Sequence, residues 1–560
     1  MEDSSIWENP FLLEMKCAQI ISSQAKHGVN FNRRKAQFGI HILKERIVNI
    51  DKVLVPLLPP MFNTGTSYKK PFLISGKLSK SVQVYSDKHG LDTSSIGGPF
   101  TAVWYTPFDT SKIAKLKIVM SNLGWEPSIW NSKKNPLQEL NKLPPHARIT
   151  AKKEMVNKYI FNNILGNGDA YKELILKELK YGNRKRNIGN LFDFIKDAAY
   201  WPSSPKITPD SDKFKGGGET LDLIRNRMVW AHRRSLLEGL VRNVRPDGKL
   251  SAEAISCATP TARMRHRVVV NIPAARAPFG PYCRSLFVGD KDKTLVKPTI
   301  YTQELKEGQR VKVWSNRIEE FDKKKGKWVV KHWHKQLIPR GQQVFVGYDG
   351  AGLELRMLAH FVGDEEYTRQ ILEGDIHTYN QTLAGLPTRD SAKTFIYAFN
   401  YGAGDAKLGS IVGGGAREGA EIRARFLKAN PKLKALIEKA KADGEKGYVY
   451  GVDGRKLWLR RGYDGKYQTH KALNVLLQGA GAIVMKYGMA ILDKEVKMTD
   501  IRANKCLDIH DEGQWSCHPD DVSKLRALMD TCITKAGTLL TLRCPLASDS
   551  IQGLSWLDTH

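Results

Sequence analysis

The chain is poor in the residues that build covalent or soft-metal frameworks. Its 560 residues include 7 cysteines and 14 histidines, with no CxxC pair and no adjacent histidine ligand set. Those cysteines read as the reduced thiols of a cytosolic protein. Long apolar runs of about eighteen residues are missing, and the N-terminus MEDSSIWENPFLLEMK has acids and a proline where a targeting peptide has a basic start and an apolar core. Secretion and membrane spanning are therefore not expected, and the reading is cytoplasmic. No internal repeat is found. Negative charge is also scarce: 58 Asp and Glu face 88 Lys and Arg, a formal net charge of +30. An excess spread along the whole chain repels itself unless a polyanion relieves it, which points to nucleic acid.

What is present is enough chain for two to four subdomains. Helical spacing runs from about 8 to 55, broken by a loop at Gly28-Val29-Asn30. From Pro59 to about Leu143 the composition shifts to Gly, Ser, Thr, Pro and Lys, with short strand-like runs such as Phe100 to Tyr105, and reads as an inserted small unit or long ordered loops. Helical character returns over about 150 to 200 and from Leu221 to Val244. A hairpin or small sheet is predicted between about 288 and 340, from Val311-Lys312-Val313-Trp314 and Lys327-Trp328-Val329-Val330 around Asp322-Lys323-Lys324-Lys325-Gly326. Helices follow over much of 352 to 445 and 466 to 497, then a strand-turn-strand near 507 to 517 and a helix from about Pro519.

Three stretches carry chemistry. Arg389, Lys393, Tyr397 and Tyr401 are spaced by four and form one stripe on a helix. Two cations near a helix N-terminus favour an anion, and two phenol rings before Gly402-Ala403-Gly404 offer a flat stacking end. A core face would not hold Arg and Lys in the same register. Second, Val344-Phe345-Val346-Gly347-Tyr348-Asp349 is a short strand ending in a carboxylate, followed by Gly350 and by a helix bearing Glu354 and Arg356. Asp349 there is either a helix cap or a Mg²⁺ ligand. Third, His510-Asp511-Glu512 sits at a predicted hairpin turn. On neighbouring strands Asp349 and Asp511 would meet, as phosphoryl transfer requires when two divalent ions are held about 3.5–4 Å apart. Oxygen-rich ligands favour Mg²⁺ over zinc.

In order and wording these elements resemble motifs A, B and C of the DNA polymerase I family, also called family A. DGAGLELRMLAHFVG, GDIHTYN and TRDSAKTFIYAFNYGAGDAKLGSIVG are similar to T-odd bacteriophage DNA polymerases, and the resemblance runs with gaps from about residue 8 to the C-terminus. It implies an α+β right-hand polymerase fold, with an antiparallel palm sheet, fingers and thumb, largely helical outside the palm. The implied divisions are a thumb region over 1–240 with an inserted segment at about 60–135, a first palm part over 241–364 with an insertion at about 288–340, fingers over 365–470, and a second palm part over 471–560. The implied activity is template-directed addition of dNTPs to a primer 3′-hydroxyl, with primer-template DNA and dNTPs as partners and two Mg²⁺ ions, or Mn²⁺, as cofactors.

By the same resemblance Asp349 and Asp511 bind both metals, with a Tyr348 or Gly350 carbonyl as a further ligand and Glu512 as an accessory acid. Arg389 and Lys393 grip the β and γ phosphates, assisted by His377. Lys393 is either a general acid to pyrophosphate or an electrostatic stabiliser. Tyr397 lies beside the incoming sugar, Glu354 crowds its 2′ position, and Tyr401 stacks at the templating position. The segment from Thr261 to Pro273 resembles the family's Thr-Gly-Arg strip, with Ala262 in place of glycine. Arg263, Asn271, Arg276 and Arg284 match its polar positions, which touch the duplex through the minor groove. Asn474, Gln478 and His510 match further primer and template contacts.

Proofreading relatives have an early Asp-x-Glu in an exonuclease domain. The first 150 residues have none, so no proofreading by this chain is expected, and a separate exonuclease chain or processivity factor is left open as a partner. The segment at about 60–135 opens with a matching Pro59-Pro60-Met61-Phe62-Asn63-Thr64-Gly65 but is shorter than the thioredoxin-binding insertion of T-odd enzymes, which leaves that partner open too. A single-subunit RNA polymerase has a related hand, but Glu354 and the HDEGQ wording argue for DNA. A silent primer-template binder would be expected to have lost one of the two aspartates.

Overall fold

The computed structural model describes residues 5–90, 92–94, 96–127, 129–137, 140, 144–164, 169–179, 188–198, 200–207, 218–292, 301–305, 309–313, 317–322, 326–333, 341–462 and 465–559. The chain divides into two compact units, one of Met1–Ile40 with Ser235–His560 and one of His41–Arg234.

The first unit is built on a four-stranded antiparallel sheet in the order Ala503–Ile509, Glu512–Cys517, Val344–Gly350, Ser548–Gly553. Val344 to Tyr348 are all buried, as the continuous apolar run requires of a central strand. Helix Val522–Leu539 packs on two of these strands and on helix Ala472–Lys497, which also receives helix Pro10–His27. The region Thr469–Lys497 is apolar and long enough to cross a membrane, yet 83% of its apolar window is buried inside the protein. It is a core helix, and its buried Lys486 is paired with Glu14. Close approach matters in the sheet: a Cβ on Gly513 would lie 2.4 Å from the Tyr348 ring. Glycine there lets the strand after Asp511 pair closely with the strand ending in Asp349.

The expected loop at Gly28-Val29-Asn30 is instead a short strand, Val29–Phe31, paired on both sides with Lys249–Leu250 and Phe287–Val288. Local spacing could not foresee it, because its partners lie more than two hundred residues away. Between 288 and 340 four strands pair in sequence, Tyr301–Leu305, Gln309–Val313, Arg317–Asp322 and Lys327–Trp333. Trp314 and Lys323 to Lys325 lie outside the described residues.

The second unit holds strand pair Met61–Tyr68 and Phe100–Thr106, strand pair Ile129–Lys134 and Tyr200–Lys206, and helices that include Lys80–His89, Ile113–Asn122 and Pro145–Tyr159. Two apolar clusters hold it, one around Val156, Ile164 and Ile175 and one around Leu54, Leu116, Trp125 and Leu221.

Candidate active site

The sheet brings the acidic elements together. Asp349 is exposed at the end of its strand, and Asp511 is exposed in the two-residue turn His510-Asp511 that joins Ala503–Ile509 to Glu512–Cys517. Register sets Asp349 opposite Glu512, and the Gly350 N–H donates to the Asp511 carbonyl at 3.1 Å. His510 has φ 58°, a left-handed conformation that costs a non-glycine residue about 1 kcal/mol or more. On the other flank Asp349 pairs in register with Asp549. The sequence reading missed Asp549, since nothing in Ser548–Gly553 shows which strand it joins. Like charges directly opposite on adjacent strands repel, and a cation relieves that repulsion. The donor set at this strand end is carboxylate oxygen, which fits Mg²⁺.

Glu512 turns inward. It is 6% exposed and accepts a hydrogen bond from Trp556 Nε1 at 2.9 Å. Arg284, also 6% exposed, has its guanidinium 4.4 Å from the Trp556 ring centre, 3.8 Å from Glu512, and donates from Nε to the Pro273 carbonyl at 3.0 Å. Burial pushes its pKa down, and Glu512 opposes that shift. Its sequence assignment to primer or template thus falls on an interior side chain. Arg276 and Asn271 are exposed, Asn271 with φ 56°. Ala262, where the family pattern has glycine, has φ 53°. The sequence substitution thus falls at a position where glycine is conformationally free.

The motif stripe forms helix Arg389–Asn400, capped by Thr388, whose side chain accepts from the Ser391 N–H while Ser391 returns a bond to the cap backbone. Ala392, Phe395, Ile396 and Phe399 are buried on one face, leaving Arg389 and Lys393 exposed on the other. His377, one residue into helix Ile376–Ala384, has its pKa lowered by partial burial and then by Arg389 and Lys393, so the imidazole stands near both cations. Its ring lies 6.3 Å from that of Tyr397.

At the far end of the stripe burial raises the Tyr401 phenol, and Glu354 and Arg263 lie close enough to shift it further, in opposite directions. Burial raises the Glu354 carboxyl, Arg263 and Tyr401 counter it, and Asp511 adds to it. Tyr397 is raised by burial and then by Glu354, Tyr401 and Asp511. These mutual effects put the phenol end of the helix near Glu354 and Asp511. Asn474 Nδ2 donates to the Tyr401 carbonyl at 3.2 Å, and Gln478 is half-buried one turn further along the same helix. His510 meets His266 edge to face at 5.8 Å.

A separate trio, His27, Asp290 and Cys506, has ligand atoms within 4.8 Å of one another. Lys249 already holds Asp290 at 2.7 Å, Asn30 donates to it at 2.8 Å, and burial keeps the Cys506 thiol protonated by raising its pKa. An ammonium is in the place where a cation would bind.

Comparison with known proteins shows the family. The family model described as DNA polymerase family A matches residues 323–558. The chain is 44% identical to the DNA-directed DNA polymerase of Escherichia phage Phieco32 over 98% of its own length and 99% of that protein's. It is 30% identical to the DNA-directed DNA polymerase of Escherichia phage T7, over 57% of this chain and 42% of that one. Among solved structures, the POL domain of Pol1 from M. smegmatis in complex with DNA primer-template and dNTP superimposes with a TM-score of 0.50 at 16% identity, over 80% of this chain and 70% of that one. That likeness concerns the fold. The 44% identity to a phage enzyme over nearly the full length of both chains, together with the family match across both acidic strands, means that this chain belongs to the family A DNA polymerases.

Proposed function

We propose that this DNA-directed DNA polymerase extends a primer on a DNA template with two divalent ions held by Asp349 and Asp511. The observation that supports it is the strand junction, where the Gly350 N–H meets the Asp511 carbonyl at 3.1 Å and sets two exposed carboxylates beside one strand end. When bound, the ions lower the pKa of the primer hydroxyl and neutralise charge on the leaving oxygen. The primer 3′-hydroxyl gives up its proton to solvent and its oxygen forms a bond to the α-phosphorus as the bond from that phosphorus to the α,β-bridging oxygen breaks, and pyrophosphate departs with that electron pair. Arg389 and Lys393 hold the β and γ phosphates at a helix N-terminus that already favours anions. His377 lies beside them, its pKa lowered by partial burial and by the two cations, and offers a ring N–H to the phosphates.

Tyr397 and Glu354 bound the sugar, and the Glu354 carboxylate excludes a 2′-hydroxyl. Tyr401, near Glu354 and Arg263, takes the templating position. Arg263, Asn271, Arg276, Asn474, Gln478 and His510 are the proposed duplex contacts, with Arg284 and Glu512 buttressing them from inside. In this reading residues 241–364 and 471–560 are palm, 365–470 fingers and 1–240 thumb region, and the enzyme works in the cytoplasm of a phage-infected host.

Primer extension tests the reading. With Mg²⁺ and dNTPs a matched primer is extended, and with rNTPs it is not. A 3′-mismatched primer keeps its last nucleotide, since the first 150 residues have no Asp-x-Glu. Preference for rNTPs would overturn the substrate assignment.

A further inference from the structure

Strands Tyr448–Tyr450 and Lys456–Trp458 form a small antiparallel hairpin with two unlike faces. Val449 and Leu457, paired across it, are 3% and 1% exposed and belong to an apolar cluster beneath. The other face is aromatic and open: Tyr450 is 58% and Trp458 54% exposed. Tyr448 pairs with Trp458, and Tyr450 with Lys456. The Tyr448 ring lies 5.4 Å from Tyr450 and 5.5 Å from Trp458, with Lys456 Nζ 4.6 Å from its centre. Large rings on the solvent face of a hairpin are unusual unless something covers them.

The surroundings say what covers them. Beyond Trp458 come exposed Arg460 and Arg461, the latter with its guanidinium 4.3 Å from the Tyr467 ring centre. On the other side Tyr450 borders a cavity of about 590 Å³ whose lining includes Lys432, Lys439 and Arg543. Acids around this surface are already paired: Asp364 with Lys432 at 3.2 Å, Asp443 with Lys446 at 3.7 Å and Asp453 with Arg455 at 2.7 Å. Cations alternating with open ring faces match a strand of phosphates with unpaired bases. A duplex hides its base faces and would use only the cations.

We propose that this hairpin and the adjoining cavity bind single-stranded DNA, the unpaired part of the template, by stacking bases on Tyr450 and Trp458 and pairing phosphates with Lys456, Arg460 and the cavity cations. The proposal rests on the polymerase reading for the origin of the strand. Neither the catalytic carboxylates nor the nucleotide stripe contributes to this surface, so the two can fail separately.

The test uses the full chain and fluorescent primer-templates with a 5′ template overhang of about 2 or about 12 nucleotides. Wild type is expected to bind the long overhang more tightly, and Tyr450→Ala with Trp458→Ala to lose that difference, roughly a tenfold change or more in the ratio of dissociation constants. Tyr450→Phe with Trp458→Phe, which keeps the rings, retains it. Lys456→Glu with Arg460→Glu weakens the long overhang selectively and flattens its salt dependence. An equal preference in wild type and the alanine pair overturns the proposal, as does a surface that captures only an acidic peptide. Should the alanine pair not fold, wild type with 5-iododeoxyuridine in the overhang decides: photoadducts on the peptide spanning 448–458 support the proposal, and none there overturns it. Extension of the short-overhang substrate by every variant shows that the polymerase reading stands whichever way the hairpin result falls.

Discussion

Arg389 at the first position of its helix is held by Asp375, the capping residue of the preceding helix, with Nε 2.6 Å from the carboxylate. The Arg389 hydrogen bonds, with help from Thr378 and the His377 N–H, keep the Asp375 carboxyl well below the usual carboxylate range. A cation assigned to the triphosphate thus has an internal anion as its alternative partner. In the proposed site, exchange between the two would give the helix a resting and a loaded contact.

Arg389→Ala is expected to raise the KM for dNTPs by roughly tenfold to a hundredfold, the worth of a charged hydrogen bond. Asp375→Asn removes the competitor and lowers the KM by a smaller factor. Steady-state extension over a dNTP series reads both, and an unchanged KM in Arg389→Ala would remove Arg389 from the phosphate site.

Asp511→Asn and Asp349→Asn are each expected to lower single-nucleotide extension by roughly a thousandfold or more, with duplex affinity close to wild type. Rapid-quench kinetics and fluorescence anisotropy separate the two quantities. Substantial extension by either variant sinks the two-ion assignment.

Glu354→Ala should admit ribonucleotides and, at neutral pH, also steady the fold. The Glu354 carboxyl is raised by burial, so its folded state holds a proton more tightly than the unfolded chain. The stability it contributes is full below its unfolded pKa and is lost as pH rises through the folded one. Removing it should therefore help more at pH 8 than at pH 4. Melting curves across pH, with parallel rNTP incorporation, check both halves.

His510→Gly trades activity for stability. Relieving a φ of 58° should stabilise the fold by about 1 kcal/mol, less the entropy that glycine adds to the unfolded chain. Losing the ring beside His266 and loosening the turn that positions Asp511 should slow extension roughly ten- to a hundredfold. Denaturant midpoints and single-turnover rates give the pair of numbers, and a destabilised variant would show that the turn is not strained.

Glu14 anchors the N-terminal helix to the core. Its carboxylate is 2.5 Å from Lys486 Nζ and is also bonded to Arg455. Burial alone would raise Glu14, but Lys486 and Arg455 hold it below its ordinary 4.5. That stabilisation is present above pH 4.5 and is lost as pH falls through the lowered folded value. Glu14→Gln, which strands a buried ammonium, should cost about 3–5 kcal/mol at pH 7, with the difference from wild type shrinking in acid. Adding Lys486→Met should recover most of the loss. Urea titrations at several pH values test this.

Much of the site could be read from spacing. Four-residue intervals put Arg389, Lys393, Tyr397 and Tyr401 on one side of a helix because the α-helix repeats every 3.6 residues. An apolar run ending in Asp349 is a buried strand with a carboxylate at its mouth. Other features needed partners far along the chain. Asp549 is an ordinary near-terminal aspartate until its strand pairs with Val344–Gly350. Arg284 looks like a surface cation until Trp556, more than two hundred residues later, closes over it.

The amino-acid order by itself determined the local periods, the caps, the three motifs and the charge excess, all set by interactions within a few residues or by composition. Only the tertiary structure decided which strands neighbour one another, which cations face inward, how His510 is bent, and that the Tyr448 to Trp458 hairpin shows its rings to solvent. These are outcomes of long-range register and burial, and a change of one residue in strand register reverses the face that every side chain presents.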